Sequence, residues 1–168
     1  MKNILATLFL LTFSSFATAG SINYSDTNVG GTVFLGFAPA VSQAFYVTTN
    51  GNYDMEVLSA NFDTVIYLYA GIPDLATATS AQALDSDDDG AGFPLSLISS
   101  VALTADTQYS LVTRGFAGAT GSFTNQIRGV GDVILGEVSR VPVPASIALL
   151  ALGLTGMGLQ RRKQVKAA

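Results

Sequence analysis

Between residues 20 and 140, apolar side chains tend to recur at every second position, and no stretch of useful length carries the three-and-four spacing of an amphipathic helix. Tyr53, Met55 and Val57 alternate with Asp54 and Glu56, Tyr109 and Leu111 flank Ser110, and Phe123 and Ile127 alternate with Thr124 and Gln126. Residues 62–69, Phe-Asp-Thr-Val-Ile-Tyr-Leu-Tyr, are dominated by β-branched and aromatic types that suit a pleated surface. Further strand candidates are 33–37, 45–48, 95–103 and 133–138. Turn chemistry separates them: Thr49-Asn50-Gly51-Asn52, Gly71-Ile72-Pro73-Asp74, Asp89-Gly90 and the glycine-rich 115–121. The expectation is an all-β sandwich or jelly-roll-like domain of about eight short strands over residues 20–140. Within 62–69, Thr64, Ile66 and Leu68 share one face, which is expected to point inward. A domain of about 120 residues buries enough surface to fold without cross-links, and the chain has no cysteine to make one.

Missing residue types narrow the chemistry. Without cysteine there is no thiol nucleophile and no lipid-bearing N-terminal cysteine; without histidine there is no Ser-His-Asp triad and no imidazole metal site. Charged residues make up 12% of the chain, low for a cytosolic enzyme. Charge is also unevenly placed. Residues 20–140 hold all twelve acidic residues against Arg114, Arg128 and Arg140. So acidic a segment repels nucleic acid and attracts divalent cations.

The two ends differ from the middle. Lys2, an apolar run over 4–16 and Ala17-Thr18-Ala19 follow the layout of a secretory signal peptide spanning 1–19, with signal peptidase cleaving before Gly20. At the other end, residues 141–168 begin Val141-Pro142-Val143-Pro144, continue through a charge-free stretch and close with Arg161, Arg162, Lys163 and Lys166. Two prolines keep residues 141–144 extended and outside any following helix. A hydrophobic transmembrane helix over 147–160, with its basic tail retained on the cytoplasmic side, leaves the acidic domain across the membrane.

That order of proline motif, apolar run and basic cluster resembles the PEP-CTERM sorting signal of Gram-negative bacteria that make exopolysaccharide. Val143 stands where the family pattern has glutamate. The resemblance implies a membrane partner, an exosortase-type enzyme that recognises Val141 to Pro144 and the Arg161-Arg162-Lys163 cluster and cleaves nearby. It implies a destination in the envelope, at the cell surface or in the extracellular matrix, with exopolysaccharide as the associated material. The middle resembles the bacterial pre-peptidase C-terminal domain, a small β-sandwich appended to secreted hydrolases. Its landmarks are Asp63 with Ile66-Tyr67-Leu68-Tyr69, the acidic loop 85–90, Leu103 with Ala105-Asp106-Thr107-Gln108-Tyr109, and Gly121-Ser122-Phe123, where phenylalanine replaces the usual tyrosine. Here the expected signal peptide, and not a hydrolase, stands directly before the domain. The implied role is an exported, non-enzymatic surface or matrix protein; the alternative is a calcium- or carbohydrate-binding accessory module serving a separate secreted enzyme.

The one dense chemical cluster is Asp85-Ser86-Asp87-Asp88-Asp89-Gly90. Asp85, Asp87 and Asp89 have the spacing that opens a calcium loop, in which alternate carboxylates converge on one point and the glycine permits a sharp bend. Ser96 occupies the loop's twelfth position in place of a bidentate glutamate, which argues against an EF-hand and leaves a looser surface calcium site as the metal-binding reading. The competing reading is a solvated acidic turn. Asp63 and Asp106 are read as a strand start and a loop cap, not as a hydrolytic pair. Tyr46, Tyr53, Tyr67, Tyr69 and Tyr109 are read as sheet residues, not as a sugar-stacking face.

Overall fold

A computed structural model describes residues 19–36 and 38–138. Of the expected signal peptide over 1–19 all but Ala19, and the whole of the expected sorting signal over 141–168 with its expected helix, lie outside the described residues. Ten strands follow in order: β1 (Gly20–Thr27), β2 (Thr32–Phe34), β3 (Ala38–Val47), β4 (Gly51–Ala60), β5 (Thr64–Ala70), β6 (Asp85–Asp87), β7 (Leu97–Leu103), β8 (Tyr109–Gly115), β9 (Ser122–Gly129) and β10 (Val133–Leu135). They form two antiparallel sheets, one ordered β1-β9-β4-β7 and the other β10-β3-β8-β5-β6, with β2 also paired to β3. This is a β-sandwich, as expected. No helix among the described residues is long and apolar enough to cross a membrane.

Each of the eight expected segments contains a strand or overlaps one. The two additional strands are β1 and β6, whose sequences Gly-Ser-Ile-Asn-Tyr-Ser-Asp-Thr and Asp-Ser-Asp hold few apolar residues. Backbone pairing recruits them: β1 lies along the whole of β9, and β6 sits opposite Ile66 to Leu68.

The inter-sheet core follows from the two-residue period. On β4, Tyr53, Met55 and Val57 are buried, while Asp54 and Glu56 turn outward toward Arg128 of β9 at 3.1 and 3.2 Å. Those ion pairs are exposed and contribute little to stability. Phe45, Ile66, Leu68, Ile98, Leu111, Phe123 and Ile127 complete the layer between the sheets. The Tyr53 ring lies across Gly129, where an added Cβ would fall among the ring atoms. Its hydroxyl donates to the Thr49 carbonyl at 2.9 Å.

β5 departs from one-sided burial. Thr64, Ile66 and Leu68 face the inter-sheet core as expected, but Val65, Tyr67 and Tyr69 are buried as well. They join Phe34, Ala40 and Val112 in a second cluster, against which Leu35, Leu75, Ala78 and Ala83 pack. Phe34 meets Tyr67 and Tyr69 edge-on, with ring centroids 5.2 and 6.3 Å apart. Tyr69 pins the β5–β6 connection by donating to the Thr79 carbonyl at 2.9 Å. Four of the five tyrosines singled out above, Tyr53, Tyr67, Tyr69 and Tyr109, are therefore core residues.

Candidate functional site

The chemistry gathers at one end of the sandwich, where the β4–β5 turn meets the β6–β7 connection. Thr64 anchors the meeting. Its N–H and its hydroxyl both donate to the Pro94 carbonyl at 3.1 Å, and its own carbonyl accepts from the Ser96 hydroxyl at 2.7 Å. Ser96 is fully buried. Burying polar groups is tolerable only when they are paired in this way, so these bonds fix the two segments side by side. The Asp63 carbonyl accepts from the Phe116 N–H at 2.8 Å and brings in the turn after β8.

Within the acidic loop the carboxylates have different jobs. Asp87 Oδ2 accepts from the N–H groups of Gly90 at 2.6 Å and Leu97 at 2.8 Å, closing the turn and tying it to β7. A Cβ on Gly90 would stand 2.7 Å from that same oxygen, so glycine is required there by close approach. Asp85 is exposed and its Oδ1 accepts from the Ser86 N–H at 2.8 Å. Asp89 has its nearest carboxylate partners elsewhere: oxygens of Asp63, Asp88 and Asp89 all lie within 4.8 Å of one another. The structure therefore groups Asp89 with Asp88 and with Asp63 from the β4–β5 turn, while Asp87 serves the backbone.

Asp63 and Asp88 are partly buried and Asp89 is exposed. One oxygen of each buried pair member, Asp63 Oδ1 and Asp88 Oδ1, is sealed from solvent and accepts no hydrogen bond. Burial, then the neighbouring charges of Asp63 and Asp89, push the Asp88 carboxyl above the usual aspartate range; Arg114 acts in the opposite direction and Asp87 adds to the rise. Arg114 itself donates to the Tyr67 hydroxyl from Nη2 at 2.8 Å and to the Gly115 carbonyl from Nη1 at 2.9 Å.

No family model matches the chain, and no curated protein matches it. Among solved structures, the chain is similar to PliG of Aeromonas hydrophila, a periplasmic inhibitor of g-type lysozyme. The TM-score is 0.38 and the identity 11%, over 75% of this chain and 93% of that one. A likeness of that size fixes neither a shared fold nor a shared activity.

Asp63 and Asp106 are kept apart. Thr64 pairs with Gly115 at one end of β8 and Ala70 with Tyr109 at the other, so the two aspartates sit at opposite ends of a seven-residue strand. That is about 20 Å, well beyond the roughly 5–9.5 Å a glycosidase pair needs. Sequence spacing singled out the loop that carries Asp88 and Asp89 but did not group Asp63 and Asp88 with Asp89. Asp63 lies more than twenty positions upstream, and the pairing of β5 with β6 and the Thr64 bonds to Pro94 and Ser96 bring it near.

The crowding of Asp88 has a pH signature. Unfolded, it releases its proton near 3.8; folded, it releases it at higher pH. Between the two values the folded state holds the extra proton, so this contribution to stability is full below the unfolded value and is lost as pH rises through the folded one. In calcium-free buffer, Asp88→Asn is expected to be more stable than the parent at neutral pH and to converge with it in acid. Urea titrations across about pH 3 to 8 check this; a parent curve parallel to the variant's throughout contradicts it.

Proposed function

We propose that the chain is an exported, non-enzymatic β-sandwich protein, delivered to the envelope, surface or extracellular matrix of a Gram-negative bacterium and released from or retained at the membrane by exosortase-type processing. What supports the reading is the match between the fold's borders and the end segments. The first strand opens at Gly20, directly after Ala17-Thr18-Ala19, and the last ends at Leu135, a few residues before Val141-Pro142. Removal of residues 1–19 and 141–168 would take away no residue of the ten strands. Gly20 is already seated: it pairs with Gly129, and a Cβ there would stand 2.5 Å from the Gly131 carbonyl oxygen.

Intact-mass measurement of the protein from its native host tests both cuts at once. The joint substitution Pro142→Ala with Pro144→Ala is expected to let the following helix extend upstream and to leave a longer, membrane-bound form. Processing and export at parental level would remove the proline motif from the argument.

A second reading, an accessory module for a separate enzyme, draws on Phe93 and Phe116, which are 77% and 50% exposed. Their backbones flank the aspartate group through Pro94 and the Asp63 carbonyl. Glycan arrays with and without calcium separate this reading from the first.

A further inference from the structure

We infer that Asp63, Asp88 and Asp89 form a divalent-cation site suited to calcium, which clamps the β4–β5 turn to the β6–β7 connection. This stands independently of the export reading. Two observations carry it. The first is geometric: oxygens that share one ion at about 2.4 Å lie at most about 4.8 Å apart, the limit within which the three carboxylates fall. The second is the pair of sealed acceptors. Asp63 Oδ1 and Asp88 Oδ1 are shut off from water and receive no hydrogen bond. A buried carboxylate oxygen without a donor is costly. Arg114 offsets part of the charge on Asp88, and a bound cation, or a proton shared between the two carboxyl groups, would supply what the two oxygens lack.

The donor set selects the ion. All three side chains offer hard oxygen, and the chain has no histidine or cysteine to favour a softer metal. Calcium accepts irregular shells of six to eight oxygens, whereas magnesium demands a near-ideal octahedron and gives up its water reluctantly. Asp89, exposed at the surface, provides the entry side, where water completes the shell. The residues joined lie on separate loops, so the ion would act as a staple between them, not as a reagent.

The experiment uses the full chain, stripped with chelator and titrated with calcium chloride or magnesium chloride at matched ionic strength. Calcium is expected to bind with Kd of about 10⁻⁴–10⁻³ M, the range of extracellular calcium modules. At about ten times Kd it should raise the melting temperature by several degrees, with a smaller shift from magnesium. Asp89→Asn changes an exposed residue and should leave the fold intact, yet weaken calcium binding by about tenfold or more. Asp88→Asn should abolish the calcium shift, and Asp85→Asn should leave it at parental size. No calcium binding, or equal shifts with both ions, would overturn the proposal in favour of the shared proton. Loss of the response in both Asp85→Asn and Asp89→Asn, with retention in Asp88→Asn, would overturn it in favour of the alternate carboxylates Asp85, Asp87 and Asp89.

Discussion

Leu68→Ala is expected to destabilise the sandwich by about 2–5 kcal/mol, the range for emptying a buried leucine site. Leu68 is fully buried in the inter-sheet core and lies opposite Leu111 on β8 and Asp85 on β6. It occupies the middle of a strand with a neighbour on each side and a packed layer on each face. A site so enclosed collapses poorly around a cavity, which argues for the upper part of the range. Leu58→Ala supplies the contrast, because Leu58 is 39% exposed and should move stability by no more than about 0.5 kcal/mol. Urea titration of both variants checks the pair. A Leu68→Ala loss within the Leu58→Ala range would mean that Leu68 does not face the core.

The second large effect concerns Gly129. An alanine there would put its methyl among the Tyr53 ring atoms, and Tyr53 is itself held by its bond to Thr49 and by the core around Met55. Overpacking of this kind costs about 1–3 kcal/mol. The diagnostic is coupling: in a Tyr53→Ala background the same Gly129→Ala change should lose most of its effect, giving an interaction energy of about 0.5–3 kcal/mol in a double-mutant cycle. Additive losses would show that the ring is not what excludes a side chain at 129.

Strands with a clear apolar period could be read from the chain; those recruited by their neighbours could not. Tyr53-Asp54-Met55-Glu56-Val57 declares both its period and its inward face. In β1 only Ile22 and Tyr24 speak for a strand, among serines, an asparagine and an aspartate that locally favour turns. β6 is Asp-Ser-Asp, strand-like only because the backbone of β5 offers it a ladder. The second buried face of β5 did leave a trace. Val65 to Tyr69 contains no charged or small polar residue, and an unbroken apolar run is the mark of a strand covered on both sides. At the aspartate group, local spacing singled out the loop, but which carboxylates meet is decided by a tertiary contact, and Asp87 answers to backbone donors that no spacing rule includes.

The pairing of β1 with β9 has a consequence in time. Gly20 meets Gly129, and every rung of that ladder joins residues roughly a hundred positions apart. At a synthesis rate of about 5–20 residues per second, the first strand waits roughly 5–20 s for its partner to exist. Until then it has no ladder to join, since its sole strand neighbour in the sheet is β9. Closure of the four-stranded sheet is thus a late event, set by the synthesis of β9 however early the pairs β2–β3 and β5–β6 form.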